Sequence, residues 1–145
     1  MSGPGLWNVA SHHAIHDTAC NEMAEILQMA QQAQIAERTE VFVQVVEVFL
    51  QVMELRVLVH AADEEQGLYQ EWLKIKGDLQ PVIDQLGEEH EALRHLSLDL
   101  ESAIVARNSV RALAVMTRMV DAFSSHSGHE EEVLRSILPE RSKRE

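Results

Sequence analysis

The sequence predicts an all-α protein, an up-down-up-down four-helix bundle with a metal site in its core. Four stretches repeat their apolar residues every three or four positions, the period of an α-helix. Short breaks separate them, and short connections make consecutive helices antiparallel neighbours. The composition agrees: six glycines and 4% aromatic residues suit helices better than a β-sandwich, and 145 residues with 46% hydrophobic content suffice for one core.

Residues 1–7, with Gly3-Pro4-Gly5, read as a flexible lead, 8–139 as the bundle and 140–145 as a charged tail. From about Asn8, one stripe carries His12, Ile15, His16, Ala19, Met23, Ile26, Leu27 and Ala30. The polar run Gln31 to Arg38 is expected to contain the first turn. The next stretch, from Val41 to Leu50, is rich in β-branched residues and looks like a strand. Its polar positions decide otherwise: Gln44, Glu47, Gln51 and Glu54 recur at three or four, and Phe42, Val46, Phe49, Met53, Val57, His60 and Glu64 follow the opposite face. This predicts a long helix to about Lys76, with Thr39 as its N-cap. Gly77-Asp78 breaks the chain, and Pro81 fits the first turn of a third helix carrying Val82, Leu86, His90, Leu93, Ser97, Leu100 and Ile104. Asn108-Ser109 is the next cap signal. The fourth helix carries Ala112, Met116, Met119, Phe123, His126, Glu130, Val133 and Ile137, and Pro139 is expected to stop it.

A formal net charge of −12 argues against nucleic-acid or anionic-membrane surfaces. The single Cys20 cannot form an intramolecular disulfide, and the N-terminus lacks the basic start and apolar run of a signal peptide. No stretch approaches the roughly 18 apolar residues of a membrane span. A cytoplasmic location is the expectation, and a homo-oligomer is compatible with it.

One pattern occurs twice. His60-Ala-Ala-Asp-Glu64-Glu65-Gln-Gly-Leu68 and His126-Ser-Gly-His-Glu130-Glu131-Glu-Val-Leu134 both read H-x-x-x-E-E-x-x-L. Positions i and i+4 share a helix face, so each pair presents an imidazole and a carboxylate to one point, as helices of a bundle do when they build a buried metal site. A helix with His12 precedes the first copy and a helix with His90 the second, with His12-x-x-Ile15 echoed in His90-x-x-Leu93. Any one such residue is more simply a hydrogen-bonded core histidine or a solvated acid. Six on apolar stripes are expensive to bury without a charge partner, and few basic residues are at hand. His12, His60, His90 and His126 with Glu64 and Glu130 suit a pair of first-row metal ions that each glutamate can bridge. With a solvent bridge, each ion has five ligands and an octahedral iron keeps one position open. A closed structural zinc would normally use cysteine.

These motifs, His12-x-x-Ile15, His60-x-x-x-Glu64-Glu65-x-x-Leu68-Tyr69, Glu89-His90-x-x-Leu93-Arg94 and His126-x-x-x-Glu130-Glu131-x-x-Leu134, resemble the hemerythrin-like, or HHE cation-binding, family of non-haem di-iron bundles. The family commonly closes the last motif with Leu-Phe-Pro, where this chain has Leu134-Arg135 and a displaced Pro139. The O2-carrying members use two histidines four apart on the third helix, where this chain has Arg94. A fifth histidine could come from His16, one turn after His12, or from His129. We expect His12 to be the first-helix ligand, with His16 near the metals but not essential, and His13 and His95 at the surface. The resemblance implies two iron ions, oxo- or hydroxo- and carboxylate-bridged, and a small ligand: O2, NO or H2O2. It leaves peroxide decomposition or NO handling ahead of O2 carriage. Glu65 and Glu131 read as acids outside the ligand set, and Tyr69 as a packing residue or a donor near the site. The alternatives are a metal-dependent helical sensor without catalysis and an iron-binding or storage module.

Overall fold

The computed structural model describes residues 9–144; the expected lead over 1–7 lies outside the described residues. Helix α1 spans Val9–Ile35, α2 runs over 39–75, α3 spans Gln80–Val105 and α4 spans Ser109–Arg144. Each packs on the next and α4 returns to α1, so four antiparallel helices enclose one core. No described helix is long and apolar enough to cross a membrane.

The turns explain where the helices stop. Glu37 and Arg107 adopt left-handed backbone, φ 56° and 55°. In the first turn Arg38 N–H donates to the Ala33 carbonyl and Glu37 N–H to that of Gln34; in the second, Asn108 N–H donates to Ala103 and Arg107 N–H to Ile104. Both are the same helix C-terminal motif, which satisfies carbonyls the helix leaves free. Helix α1 therefore runs through Gln31 to Gln34, and the turn closes at Glu37 and Arg38, inside the polar run from Gln31 to Arg38 expected to contain it. Asn108 caps α4 as expected, its Oδ1 accepting from Arg111 N–H at 3.0 Å. Thr39 does not cap α2: it is the first helical residue, and Arg38 holds the cap position without a side-chain bond. Lys76, in extended backbone, ends α2, and a single 3-10 turn, Gly77–Leu79, leads into α3 with Pro81 in its first turn. Pro139 does not stop α4, which continues to Arg144. The proline forfeits one backbone bond, but Leu134 and Ile137, both fully buried, hold the helix on the bundle as far as that point.

Two apolar clusters fill the interior. The larger, toward the α1–α2 and α3–α4 turns, is built on Met23, Phe49, Met53, Leu100, Met116 and Met119. The smaller, toward the α2–α3 turn, holds Leu68, Tyr69, Trp72, Leu86, Leu134 and Ile137 and, among the described residues, takes nothing from α1. Between them lies a layer of buried polar residues: His12, His16, Glu64, His90, His126 and Glu130. One expected stripe residue is misplaced. Ile15 is 43% exposed, because an inward face centred on His12, His16 and Ala19 leaves it at the edge of α1, so the likeness of His12-x-x-Ile15 to His90-x-x-Leu93 does not extend to packing.

Helix α2 is not uniformly α-helical. It is α over Thr39–Val52, π over Met53–Leu58, α over Val59–Asp63, π over Glu64–Leu68 and α over Tyr69–Ile75. Val59 N–H donates to the Glu54 carbonyl and Tyr69 N–H to that of Glu64, each five residues back. The spacing of the buried side chains explains the pattern. The inward residues Phe49, Met53, Val57 and Ala61, then Glu64, Leu68 and Trp72, advance largely in fours. Four residues of α-helix overshoot a full turn by about 40°. A wider π turn takes up that excess and keeps the same face toward the core.

Candidate metal centre

Four helices each bring polar side chains to the layer. His12 and His16 come from successive turns of α1, His60 and Glu64 from the α segment of α2 between its two π turns and its edge, His90 from α3, and His126 and Glu130 from α4. They form two groups. In the first, His12, His16, His60, Glu64 and Glu130 each offer an atom within 4.8 Å of all the others; in the second, Glu64, His90, His126 and Glu130 do the same. Both carboxylates belong to both groups.

All five imidazoles turn Nε2 inward. His12 Nε2 lies 2.7 Å from Glu130 Oε1 and 3.5 Å from Glu64 Oε2; His16 Nε2 lies 3.3 Å from Glu130 Oε1, and His60 Nε2 3.4 Å from Glu64 Oε2. His90 Nε2 is 3.4 Å from Glu64 Oε1, and His126 Nε2 is 3.3 Å from Glu130 Oε2. His90 and His126 bring their Nε2 atoms to 2.9 Å of each other. Not all of these short distances are hydrogen bonds. His12 Nε2, His60 Nε2, Glu64 Oε2 and Glu130 Oε1 are buried without a properly directed partner among the described residues. Nitrogens and oxygens that approach closely, yet point past one another toward common positions, are what a cation between them requires. Buried polar atoms left in that state are otherwise costly. The donor set of imidazole and carboxylate, with no cysteine, fits a first-row divalent metal.

An outer carboxylate fixes one of the rings, and a second carboxylate stands near another. His126 Nδ1–H donates to Glu89 Oε1 at 2.7 Å, and Glu89 Oε2 also accepts from His129 at 2.9 Å. His90 Nδ1 lies 3.4 Å from Glu65 Oε2, and Arg94 holds Glu65 through a 2.7 Å bond while also pairing with Glu91. A carboxylate on Nδ1 sets the tautomer that leaves Nε2 free as a ligand. Tyr69, fully buried, donates its hydroxyl to Glu130 Oε2 and lies 3.4 Å from His90 Nε2.

Protonation is divided unevenly. Burial would lower the pKa of His12, but the approach of Glu130 and Glu64 outweighs it and pushes it up to about 9. Burial, and then the charge on His126, push His90 down to about 4. Burial also lowers His16 and His60, whereas His126 is raised, because Glu130 and Glu89 prevail over burial. Burial and the neighbouring Glu130 charge push Glu64 well up. Glu130 moves the other way against its burial, held ionised by Glu64, His12, His126 and His16. Burial and the two glutamates push the Tyr69 hydroxyl up, keeping it a donor.

All seven residues singled out from the sequence thus meet in one layer. His60 is the most open, its side chain 21% exposed. His16, expected only near the site, stands in the first group, its ring centroid 4.3 Å from that of His12. His13 is exposed and donates to Glu131 at 2.8 Å; His95 is exposed; His129 turns outward to Glu89, away from both groups. The ring-orienting part of Glu89 was missed, although its place beside His90 was the available signal. No family model, curated protein or solved structure matches the chain.

Proposed function

We propose that this chain is a hemerythrin-like non-haem di-iron protein that binds or reacts with a small oxidant ligand, O2, NO or H2O2. The observation that carries the reading is the sharing of Glu64 and Glu130 between two groups of ligand atoms. One carboxylate pair serving two imidazole sets suits two adjacent ions better than one. His12, His16 and His60 would hold one ion and His90 and His126 the other, with the glutamates between them. Iron so bound supplies the redox chemistry that no side chain of the site can.

The protein's own share is orientation, dryness and proton control. The second group has one imidazole fewer, so an exogenous ligand has its place there, beside Tyr69. The hydroxyl of Tyr69, kept protonated, donates to Glu130 and so helps orient that shared carboxylate. Apolar clusters on both sides keep bulk water from the layer.

Elemental analysis and visible absorption test the reading together. Protein reconstituted with ferrous iron and exposed to air should hold about two irons per chain, by the two-group coordination logic, and should be coloured. His60→Ala and Glu130→Ala should each lose iron, whereas His95→Ala should keep it. Less than about one iron per chain, or a colourless protein at full iron loading, would sink the proposal.

A further inference from the structure

A cleft of about 250 Å³ opens on the seam between α1 and α4, next to the first ligand group. Its lining includes His13, Asp17 and Cys20 from α1 and Gly128 and Glu131 from α4, and His16 forms part of it. His16 is only 3% exposed, and its Nδ1 has no hydrogen-bond partner among the described residues. The His16 ring therefore belongs to the metal layer through Nε2 and to the lining of a surface opening, with a buried, unpartnered Nδ1 besides. The opening is lined by two acids and no lysine or arginine. Asp17 and Glu131 supply the carboxylates of this lining. A cleft lined by one sign of charge concentrates ions of the other sign, and the chain's net charge of −12 adds to this. The nearby opening on the α1–α2 seam differs: it is lined by Ala14, Ile15, Thr18 and Ala19 with Arg56.

We infer that the α1–α4 cleft is the port through which divalent first-row cations reach the ligand layer, with His13, Glu131, Asp17 and Cys20 as transient oxygen, nitrogen and sulfur contacts and His16 as the inner acceptor. The inference rests on the metal reading above and adds a route to it. Gly128 makes it testable. A Cβ added there meets nothing within 4 Å, so a large side chain grows into open space. Replacing a mid-helix glycine also removes freedom from the unfolded chain, which favours folding.

The experiment mixes metal-stripped, full-length protein with Co(II) and monitors uptake by its ligand-field absorption, with final stoichiometry measured separately. Gly128→Phe should take up the same amount of cobalt at a rate at least tenfold lower, and so should the parent protein after a bulky maleimide has been placed on Cys20. Ala14→Trp, which plugs the α1–α2 opening, should load at the parent rate. Parent rates in both the Gly128→Phe and the maleimide-blocked proteins would overturn the port. Slowing in Ala14→Trp alone would overturn it too and move the route to the α1–α2 seam. A parent protein that binds no cobalt at all would refute the metal reading itself, and the port with it.

Discussion

His12 stands where the carboxylates of Glu64 and Glu130 face each other, and its proton supplies positive charge between them. A metal must displace that proton, and the raised one on Glu64, before it can bind. Apparent metal affinity should therefore climb at least tenfold per pH unit between about pH 6 and 8, with one proton released costing a factor of ten per unit. Competition titrations at fixed free metal would show it, and a flat profile would mean that His12 is not a ligand. The metal-free protein carries the matching signature in stability. The raised pKa of His12 contributes stability that is present below the ordinary imidazole value of 6.5 and is lost as pH rises through about 9. His16, His60 and His90 are lowered, so their contribution is lost as pH falls below the same ordinary value. Urea midpoints of stripped protein should peak near neutrality and fall on both sides. At this scale the sequence was most legible where a pair repeats at i and i+4. It was least legible for His16, because periodicity places two histidines on one face without saying how closely the helix approaches. Tyr69 was ambiguous for a similar reason, since its hydroxyl partner, Glu130, lies on another helix.

The elements were legible through their periods, and their ends through Asn108, Gly77 and Pro81. The polar run from Gln31 to Arg38 does contain the first turn, but polarity alone did not say where in it the helix ends, because a helix can carry polar residues to its last turn when a left-handed residue then closes it. The π turns of α2 were hidden, since a run of fours is also what an ordinary amphipathic helix shows over short spans. They permit a deletion test. A π turn closes over one more residue than an α turn, so removing one residue from it restores α-helix without rotating the rest of α2. Leu55, 71% exposed within Met53–Leu58, is the residue to remove. Its deletion should preserve helicity and metal content, because His60 and Glu64 keep their facing. Removing the exposed Asn21 from the uninterrupted α1 should turn His12 and His16 about 100° away from the C-terminal part of that helix and abolish loading of the first group. Equal loss in the two deletions, read by circular dichroism and metal analysis, would show that the π turns do not carry the register.

Across the whole molecule, the polar layer divides the apolar core in two, and the metal-free protein has to hold five imidazoles and two carboxylates out of water. The two glutamates bear that cost differently. Glu64 is pushed toward its neutral form by burial and by Glu130, with Oε2 unpartnered, so removing it strands no charge in the stripped fold. Glu130 is pushed toward its ionised form and is the counter-charge to His12 and His126, with Tyr69 donating to it. Replacing a buried ionisable group by an apolar one of similar volume is often neutral or stabilising by about 1–4 kcal/mol, whereas removing one partner of a buried charge pair costs about 3–5 kcal/mol. Glu64→Met should therefore leave the stripped protein at least as stable as the parent, and Glu130→Met should destabilise it by several kcal/mol, on the order of those figures. Added metal should raise the urea midpoint of the parent and of neither variant to the same extent, because a ligand that binds only the folded state stabilises it in proportion to its affinity. Chemical denaturation of the three proteins, with and without metal, distinguishes these outcomes. Equal destabilisation by the two substitutions would mean that the charge is shared evenly between the carboxylates. A gain on metal addition undiminished in both variants would place the ion outside this layer altogether.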